Sequence, residues 1–319
     1  MRMHRRLALG AAMLALVVSA CSSGEGSGSP AASGGGASVP ASAGGEGERS
    51  IVIGSAGFYE AQLMAEIYAQ ALEANGYTVE RNLGIGPRDT TQPTIESGEI
   101  DLQPEYIGSL LTFLGGTASG DVDATFDDLQ TALGEVGLTA LDPAPAQDQN
   151  AFVVRSETAE DLGLTTMSDL AAQATDLVWG LPPECETNEL CSGALEDDYG
   201  IPYGELQIEE YAACDAPVAQ ALNDGVVDVA ELCSTQPDIE RFNFVVLEDD
   251  LETQPAENLA PIVRTEWLDA APDDFVEFLN AVSAAMDTET LTSLGVDVAV
   301  DQMDVADVAD QWLMDNGLK

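Results

Sequence analysis

The feature that most constrains the fold is a repeated alternation, after residue 50, between short apolar strands and segments whose apolar side chains recur at helical spacing. The helix 58–75, for example, follows the strand 51–54 and stops at Gly76. This strand, helix, strand order predicts α/β lobes in which helices cover parallel sheets. The predicted strands are 51–54, 77–82, 100–102, 151–155, 177–180, 205–209, 226–232 and 244–248.

Two of these strands, 151–155 and 244–248, are placed to carry the chain between two lobes. We expect residues 51–152 to begin lobe 1, residues 153–246 to form lobe 2, and residues 247–319 to return to lobe 1. A hinge of two crossing strands puts a ligand cleft between the lobes, which close around the ligand.

The first twenty residues have the pattern of a secretory signal peptide. Basic residues precede an apolar run, 7–18, that is too short to span a bilayer comfortably, and small residues precede Cys21. The ending resembles a bacterial lipobox, which predicts cleavage after residue 20 and a lipid on Cys21; an ordinary cysteine behind a plain signal peptide is the alternative. Residues 21–50, rich in Gly, Ser, Ala and Pro, are expected to form a flexible tether. The protein is then expected to be exported and anchored to the outer face of the cell membrane.

The chain is extremely acidic. It contains 57 Asp and Glu residues against 10 Lys and Arg residues, which gives a formal net charge of -47. Such a surface argues against binding to nucleic acid or to an anionic membrane surface. Two interpretations of the charge stay open: attraction of a cationic ligand, and a solvated surface suited to salty surroundings.

Besides the lipobox cysteine, four cysteines remain in a chain whose predicted export permits disulfides. Of the three possible pairings we favour Cys185 with Cys191, because that pair closes a short loop. The second pair, Cys214 with Cys233, then joins a helix start to a strand end. Zinc binding is the alternative, but the spacings contain no C-x-x-C pair and the one histidine of the chain lies in the signal peptide. No metal site is therefore expected.

Several separated blocks follow one another along the chain: I-V-I-G-S-A-G-F-Y-E from Ile51, E-S-G-E-I-D-L-Q-P-E-Y-I-G from Glu96, T-Q-P-D-I-E-R-F-N-F from Thr235 and Q-P-A-E-N-L-A-P-I-V-R from Gln254. In this order they resemble the substrate-binding proteins of ABC importers for osmoprotectants, which take up glycine betaine, choline and related quaternary ammonium compounds. The resemblance runs from about Ile51 to the C-terminus.

The resemblance implies a type II periplasmic-binding-protein fold with two lobes and two hinge strands. It also implies binding without catalysis or a cofactor, and delivery of a small-molecule solute to a membrane permease driven by a separate ATPase. The expected site is a cleft lined with aromatic rings. A trimethylammonium group has no N–H to donate and is best held by the negative faces of such rings.

Candidate ligand residues follow the predicted strands at their carboxyl ends, where α/β sheets usually bind ligands. Phe58 reads equally well as a ligand contact or as a packing residue at the helix start, and Glu105 as a partner of a cationic ligand or a helix cap. Arg88 and Arg155 are expected to form structural ion pairs. The ligand-binding candidates are Tyr59, Gln103, Tyr106, Asn150, Thr235 and Gln236.

Three positions depart from the family pattern. Relatives commonly have an aromatic residue where this chain has Gln103, Asn150 and Cys233. A complete aromatic box is therefore not expected, and another compatible solute or an amino acid stays open as the ligand.

An enzyme and a ligand sensor are the two competing classes of function. An enzyme is not expected, because the chain lacks a G-x-S-x-G elbow, a P-loop, an H-E-x-x-H run and a G-x-G-x-x-G run, and no histidine follows the signal peptide. A lipoprotein that senses its ligand without feeding a transporter remains the alternative, because a fold does not determine a function.

Overall fold

The structure is a computed structural model that describes residues 49–212 and 214–319. The predicted signal peptide, the lipidation site Cys21 and nearly all of the tether 21–50 lie outside the described residues. Within the described part of the chain, no helix has the length and apolar character needed to cross a membrane.

The described residues contain ten strands in two five-stranded sheets. The strands are β1 (Ser50–Ala56), β2 (Thr78–Gly86), β3 (Leu102–Tyr106), β4 (Leu138–Ala140), β5 (Asn150–Arg155), β6 (Val178–Leu181), β7 (Gln207–Glu210), β8 (Val229–Cys233), β9 (Phe244–Val246) and β10 (Leu259–Arg264). The first sheet has the order β2-β1-β3-β10-β4 and belongs to lobe 1; the second has the order β7-β6-β8-β5-β9 and belongs to lobe 2.

Twelve α-helices of the described residues cover these sheets, which confirms the α/β class predicted from the sequence. They are α1 (Tyr59–Ala74), α2 (Arg88–Glu96), α3 (Ile107–Phe113), α4 (Val122–Glu135), α5 (Ser156–Leu162), α6 (Met167–Ala171), α7 (Ala216–Asn223), α8 (Asp238–Arg241), α9 (Thr265–Leu268), α10 (Phe275–Ala284), α11 (Thr288–Gly295) and α12 (Val305–Asp315). Lobe 2 also contains short 3₁₀ helices at Ala174–Asp176, Pro183–Thr187 and Tyr203–Glu205 and a π-helix at Glu189–Asp198, and a second π-helix, Val296–Val300, follows α11.

Helix α1 is the centre of lobe 1. It is buried on nearly every side because apolar residues occupy most of its 16 positions. Each large apolar side chain that it buries, such as Leu63 or Ile67, contributes about 1.5–3 kcal/mol. The helix ends where the sequence predicts, because Gly76 adopts a left-handed conformation with a φ of 84° and donates its N–H to the carbonyl of Glu73.

The prediction of parallel sheets is wrong for one strand in each lobe. In the first sheet β10 runs antiparallel to both β3 and β4, and in the second sheet β5 runs antiparallel to both β8 and β9. These are the strands with which the chain enters each lobe from the other one. Because no helical crossover precedes them, nothing forces them parallel to their neighbours.

The chain also crosses between the lobes a few residues away from the predicted positions. Strands β5 and β9, expected to cross, instead pair with each other in the lobe 2 sheet. The crossing segments are residues 141–149 and 247–258, where Gln147 pairs with Asn258 and the N–H of Asp148 donates to the carbonyl of Glu257 at 3.1 Å. Lobe 2 therefore begins near Asn150, before the boundary expected at residue 152.

Lobe 2 has smaller apolar clusters and both disulfides. The buried Trp179 packs edge-on against Phe152, with 5.7 Å between ring centroids. The sulfurs of Cys185 and Cys191 are joined, and so are those of Cys214 and Cys233, which is the pairing favoured from the sequence.

Candidate ligand-binding cleft

A cavity of about 780 Å³ opens between the two lobes. Its lobe 1 wall is the start of α1 and the end of β3. Its lobe 2 wall is the turn after β8 and the start of α8. Both sheets present their carboxyl ends to it, as expected for a binding site in an α/β protein. The residues that carry its chemistry are Phe58, Tyr59, Glu60, Arg88, Tyr106, Asp148, Thr235, Asp238 and Arg241.

The polar centre of the cavity is the carboxylate of Glu60, in the first turn of α1. Its side chain is only 5% exposed and accepts three hydroxyl hydrogen bonds. Tyr59 donates to Oε1 at 2.8 Å, Thr235 donates to Oε1 at 2.6 Å, and Tyr106 donates to Oε2. Three donors and the positive end of the helix stabilise the buried charge. Because Thr235 belongs to lobe 2, this network also links the two lobes.

Three aromatic rings line the lobe 1 side of the cavity, and two of them, Tyr59 and Tyr106, contact the carboxylate of Glu60 through their hydroxyls. The ring of Phe58 stacks on Tyr106 with 6.3 Å between centroids and 16° between planes. Phe58 remains 48% exposed and lines the cavity, whereas Tyr106 is buried. Burial raises the pKa of Tyr59 and of Tyr106 well above the ordinary value, and the negative charge of Glu60 raises both further. Both phenols therefore stay neutral hydrogen-bond donors.

A second carboxyl group, Asp148, lies on the crossing segment beside this network. Its Oδ1 accepts the backbone N–H of Thr235 at 3.3 Å. Burial raises the pKa of Asp148 to about 7; the charge of Glu60 raises it as well, and the hydrogen bond from the backbone N–H of Thr235 lowers it. The cavity thus holds the buried carboxyl group of Glu60 and the half-buried one of Asp148, which are joined through Thr235.

The two arginines that line the cavity already have acidic partners. Arg88 contacts Glu105 with an Nη2–Oε2 distance of 2.8 Å, and Arg241 contacts Asp238 at 3.3 Å. The role of Glu105 is therefore the ion pair with Arg88, because Glu105 neither caps the helix after β3 nor lines the main cavity.

Aromatic rings beside a buried carboxylate, in a cleft between two lobes, suit a small cationic ligand. One family model, described as the substrate binding domain of an ABC-type glycine betaine transport system, matches residues 49–315. The chain belongs to this family. It is the solute-binding component of an osmoprotectant ABC transporter, and members of the family are extracytoplasmic binding proteins.

Relatives of known name support the same assignment. The chain is 28% identical over 281 residues to the glycine betaine-binding protein YehZ of Escherichia coli K12, with 84% of this chain and 90% of YehZ covered. It is 26% identical over 276 residues to a glycine-betaine-binding protein of Pseudomonas aeruginosa, with 83% and 88% covered. It is 27% identical over 264 residues to CosB of Halobacterium salinarum, a substrate-binding protein of a chemotactic signal transduction system, with 77% and 78% covered.

The fold agrees with solved structures of the family. The structure of apo YehZ superposes with a TM-score of 0.77 at 26% identity, over 84% of this chain and 99% of that one. A glycine betaine/carnitine/choline ABC transporter structure gives the same TM-score of 0.77 at 21% identity and likewise covers 84% of this chain and 99% of that one. The two-lobed fold implied by the sequence resemblance is therefore confirmed.

Four of the six predicted ligand residues line the cavity, namely Tyr59, Tyr106, Thr235 and Gln236. Gln103 does not, because it stands three positions before Tyr106 on β3 and side chains alternate between the two faces of a strand. It is 1% exposed, and neither atom of its amide has a hydrogen-bond partner among the described residues.

Asn150 is also absent from the main cavity. It lines a second depression of about 510 Å³ beside the crossing segments, together with Gln147, Ser234 and Thr253. Asn150 is the first residue of β5, directly after the crossing segment 141–149, and it lines this second depression and not the aromatic cluster.

Sequence reasoning missed Glu60 and Asp148. A signal for Glu60 was present, because it precedes Leu63, Met64 and Ile67 by three, four and seven positions and therefore lies on the apolar face of α1. An acidic residue on such a face needs specific partners. Asp148 carried no comparable signal, because residues 141–149 have no regular periodicity.

The disulfides differ in their relation to the cavity. Cys214 and Cys233 line its lobe 2 wall. The other disulfide is buried inside lobe 2, where Cys191 Sγ lies 3.0 Å from Oε2 of Glu231. These two cysteines and Glu231 are close enough together to suggest metal ligands, but the joined sulfurs are not free thiolates.

Arg155, at the end of β5, forms an ion pair with Asp228 at 2.9 Å, which confirms the structural role expected from the sequence.

Proposed function

We propose that the cleft captures a small quaternary ammonium osmoprotectant, such as glycine betaine or choline, and presents it to an ABC permease without chemical change. The observation that carries this proposal is the cluster of Phe58, Tyr59 and Tyr106 in the cavity, in which both tyrosines bind the buried carboxylate of Glu60 and Phe58 stacks on Tyr106. Ring faces and a carboxylate attract a cation that has no N–H to donate. The names of the relatives support the same ligand class.

The cavity volume is compatible with this ligand class. About 780 Å³ falls within the range of pockets that hold small molecules and leaves space for water or for further closure of the lobes. Phe58 is the ring most open to a ligand, because it is 48% exposed.

Calorimetric titration with glycine betaine, choline, carnitine, proline and ectoine tests the proposal. Replacing Phe58 by alanine should weaken quaternary ammonium binding about five- to thirtyfold, which corresponds to about 1–2 kcal/mol for a desolvated ring contact. Phe113→Ala is the matched control, because Phe113 is 42% exposed at the end of α3 and does not line the cavity. Heat from proline or ectoine but from no quaternary compound would contradict the proposed ligand class.

We also propose that the protein is held at the outer face of the cell membrane by a lipid on Cys21. The lipobox-like sequence before Cys21 and the tether that follows it support this anchor. A Cys21→Ser variant should leave the membrane fraction. A variant that stayed with the membrane as the wild type does would rule the anchor out.

Ligand sensing is a second candidate function, and the similarity to CosB favours it. A sensor and an importer can use the same cleft, because the difference lies in the partner that recognises the closed form. Uptake of radiolabelled ligand into cells with and without this protein separates the two. Loss of uptake supports transport, whereas unchanged uptake with a lost behavioural response supports sensing.

A further inference from the structure

The carboxyl groups of Glu60 and Asp148, the one buried and the other half-buried, have no basic partner. Among the described residues, neither Glu60 nor Asp148 forms an ion pair with an Arg or Lys nitrogen within 4.0 Å. Arg88 and Arg241, which line the same cavity, are balanced by Glu105 and Asp238. Glu60 and Asp148 form the floor of the cleft, and the unbalanced charge there is therefore negative.

The hydroxyl groups that surround Glu60 are already engaged by its carboxylate. The hydroxyls of Tyr59, Tyr106 and Thr235 each have one hydrogen, and each donates it to Glu60. The backbone N–H of Thr235 donates to Asp148. A ligand carboxylate entering this floor would meet acceptors of like charge, whereas a ligand cation would meet two carboxyl groups and the aromatic rings.

We infer that Glu60 and Asp148 form a cation subsite. The cleft therefore selects osmoprotectants of net positive charge, such as choline, over zwitterions such as glycine betaine. Binding of the cation expels a proton from the pair of carboxyl groups. The inference rests on the proposed quaternary ammonium function and narrows it to one charge class. A hydroxyl on the ligand adds to the preference, because it can donate to a carboxylate oxygen.

The groups that face Asp148 explain how the pair holds a proton before a cation arrives. Removal of its carboxyl group from water raises the pKa of Asp148 to about 7, and the acidic Glu60 on α1 and Glu257 on the other crossing segment raise it as well. Glu257 itself accepts hydrogen bonds from Ser109 at 2.7 and 3.0 Å. The neutral phenols of Tyr59 and Tyr106 donate to Glu60, and no described Arg or Lys forms an ion pair with Asp148.

The affinity for a cation should depend on pH, because the charge of the cation acts on Asp148. A bound cation favours the ionised form of Asp148 and lowers its pKa, so binding releases a proton and strengthens as the pH rises through about 7. If the free group has a pKa of about 7, about half a proton leaves per ligand at pH 7. A zwitterion brings its own carboxylate to the site and gains much less from the ionisation.

The test is calorimetry of the purified full chain with choline and with glycine betaine between pH 5.5 and 8.5, in phosphate and in Tris, which differ in ionisation enthalpy. We expect choline to bind at least about tenfold tighter than glycine betaine at pH 8, and choline affinity to rise about tenfold or more from pH 5.5 to 8. The difference in heat between the buffers should report proton release for choline.

Substitution of Asp148 tests whether its charge causes the pH dependence of choline binding. Asp148→Asn keeps an acceptor for the N–H of Thr235 but removes the charge, so choline affinity should fall about tenfold and lose its pH dependence. The matched control is Asp142→Asn, which makes the same chemical change at an exposed carboxyl group that accepts a hydrogen bond from Asn280. This variant should leave choline binding unchanged.

The possible outcomes separate this inference from the proposed function. Glycine betaine binding as tightly as choline, without proton release, would overturn the cation subsite and leave the quaternary ammonium function intact. Failure of both ligands to bind would overturn the proposed function itself. The wild-type pH series decides the inference even if the Asp148→Asn variant does not fold.

Discussion

The two lobes are stabilised by different means. Lobe 1 encloses α1 in a large apolar cluster and contains neither of the two disulfides of the described residues. Lobe 2 has shorter strands, smaller clusters and both disulfides. Each lobe therefore illustrates one route to a stable domain: burial of apolar surface in lobe 1, and cross-linking in addition to burial in lobe 2.

The same difference extends to the walls of the cleft. The lobe 1 wall is the first turn of a helix that packing holds on nearly every side. The lobe 2 wall includes the turn after β8, which the disulfide between Cys214 and Cys233 ties to the segment before α7. Packing thus positions the aromatic rings and Glu60, whereas a covalent bond helps to position Thr235.

The largest expected effect breaks the packing of lobe 1. Phe275 is 1% exposed and its ring lies 4.7 Å from that of Trp267, so Phe275→Ala should cost about 3–5 kcal/mol. Urea unfolding followed by fluorine NMR of labelled tryptophans can assign the loss, because Trp267 and Trp312 report on lobe 1 and Trp179 reports on lobe 2.

The neighbouring Val276→Ala is the control for this change. Val276 is 38% exposed, so its truncation should alter stability by no more than about 0.5 kcal/mol. An equal loss in both variants would mean that packing at Phe275 is not what holds lobe 1 together.

The next effect removes the cross-links of lobe 2. With sequence separations of 19 and 6, the loop-closure entropy predicts a loss of about 3 kcal/mol without the Cys214–Cys233 bond and about 2 kcal/mol without the Cys185–Cys191 bond. Each pair is changed to serine, and the Trp179 signal should respond first during urea unfolding. If the Trp267 signal changed first instead, the conclusion that these disulfides stabilise lobe 2 in particular would be wrong.

The last effect depends on pH, falls to zero in acid, and concerns a carboxyl group buried in lobe 2. Burial, and then the charge of Glu184, raises the pKa of Glu231 from 4.5 to about 7. Native Glu231 therefore favours its protonated form, and the stability that it contributes is complete below pH 4.5 and is lost as the pH rises through about 7. Glu231→Gln should remove this loss, with a gain of at most about 3 kcal/mol at pH 8 and none at pH 4.

Urea midpoints at pH 4, 6 and 8 measure this gain. The exposed Glu210 on β7, changed to glutamine, is the control and should show no pH-dependent difference. Asp148 also titrates near pH 7 in wild type and in both variants, so only the difference between proteins reports on Glu231. A constant offset at all three pH values would show that packing, not ionisation, causes the change.

Much of this molecule was predictable from local patterns. The alternation of strands and helices predicted the α/β lobes, the stop at Gly76 predicted the end of α1, and the spacing of the cysteines favoured the pairing that the structure contains. The carboxyl ends of the strands also located Tyr59, Tyr106 and Thr235 in one cavity. Each of these inferences needs only neighbours in sequence or a general rule of topology.

The sequence by itself determined the fold class, the family and the side of each sheet on which the cleft lies, because strand and helix periodicities are local and the family blocks are contiguous. Only the tertiary structure decided that β5 and β10 run antiparallel, that Gln103 and Asn150 leave the main cavity, and that Glu60 meets Asp148 across Thr235. The physical reason is distance along the chain. Glu60 and Thr235 are 175 residues apart, and a hydrogen bond between them exists only once both lobes have folded and met.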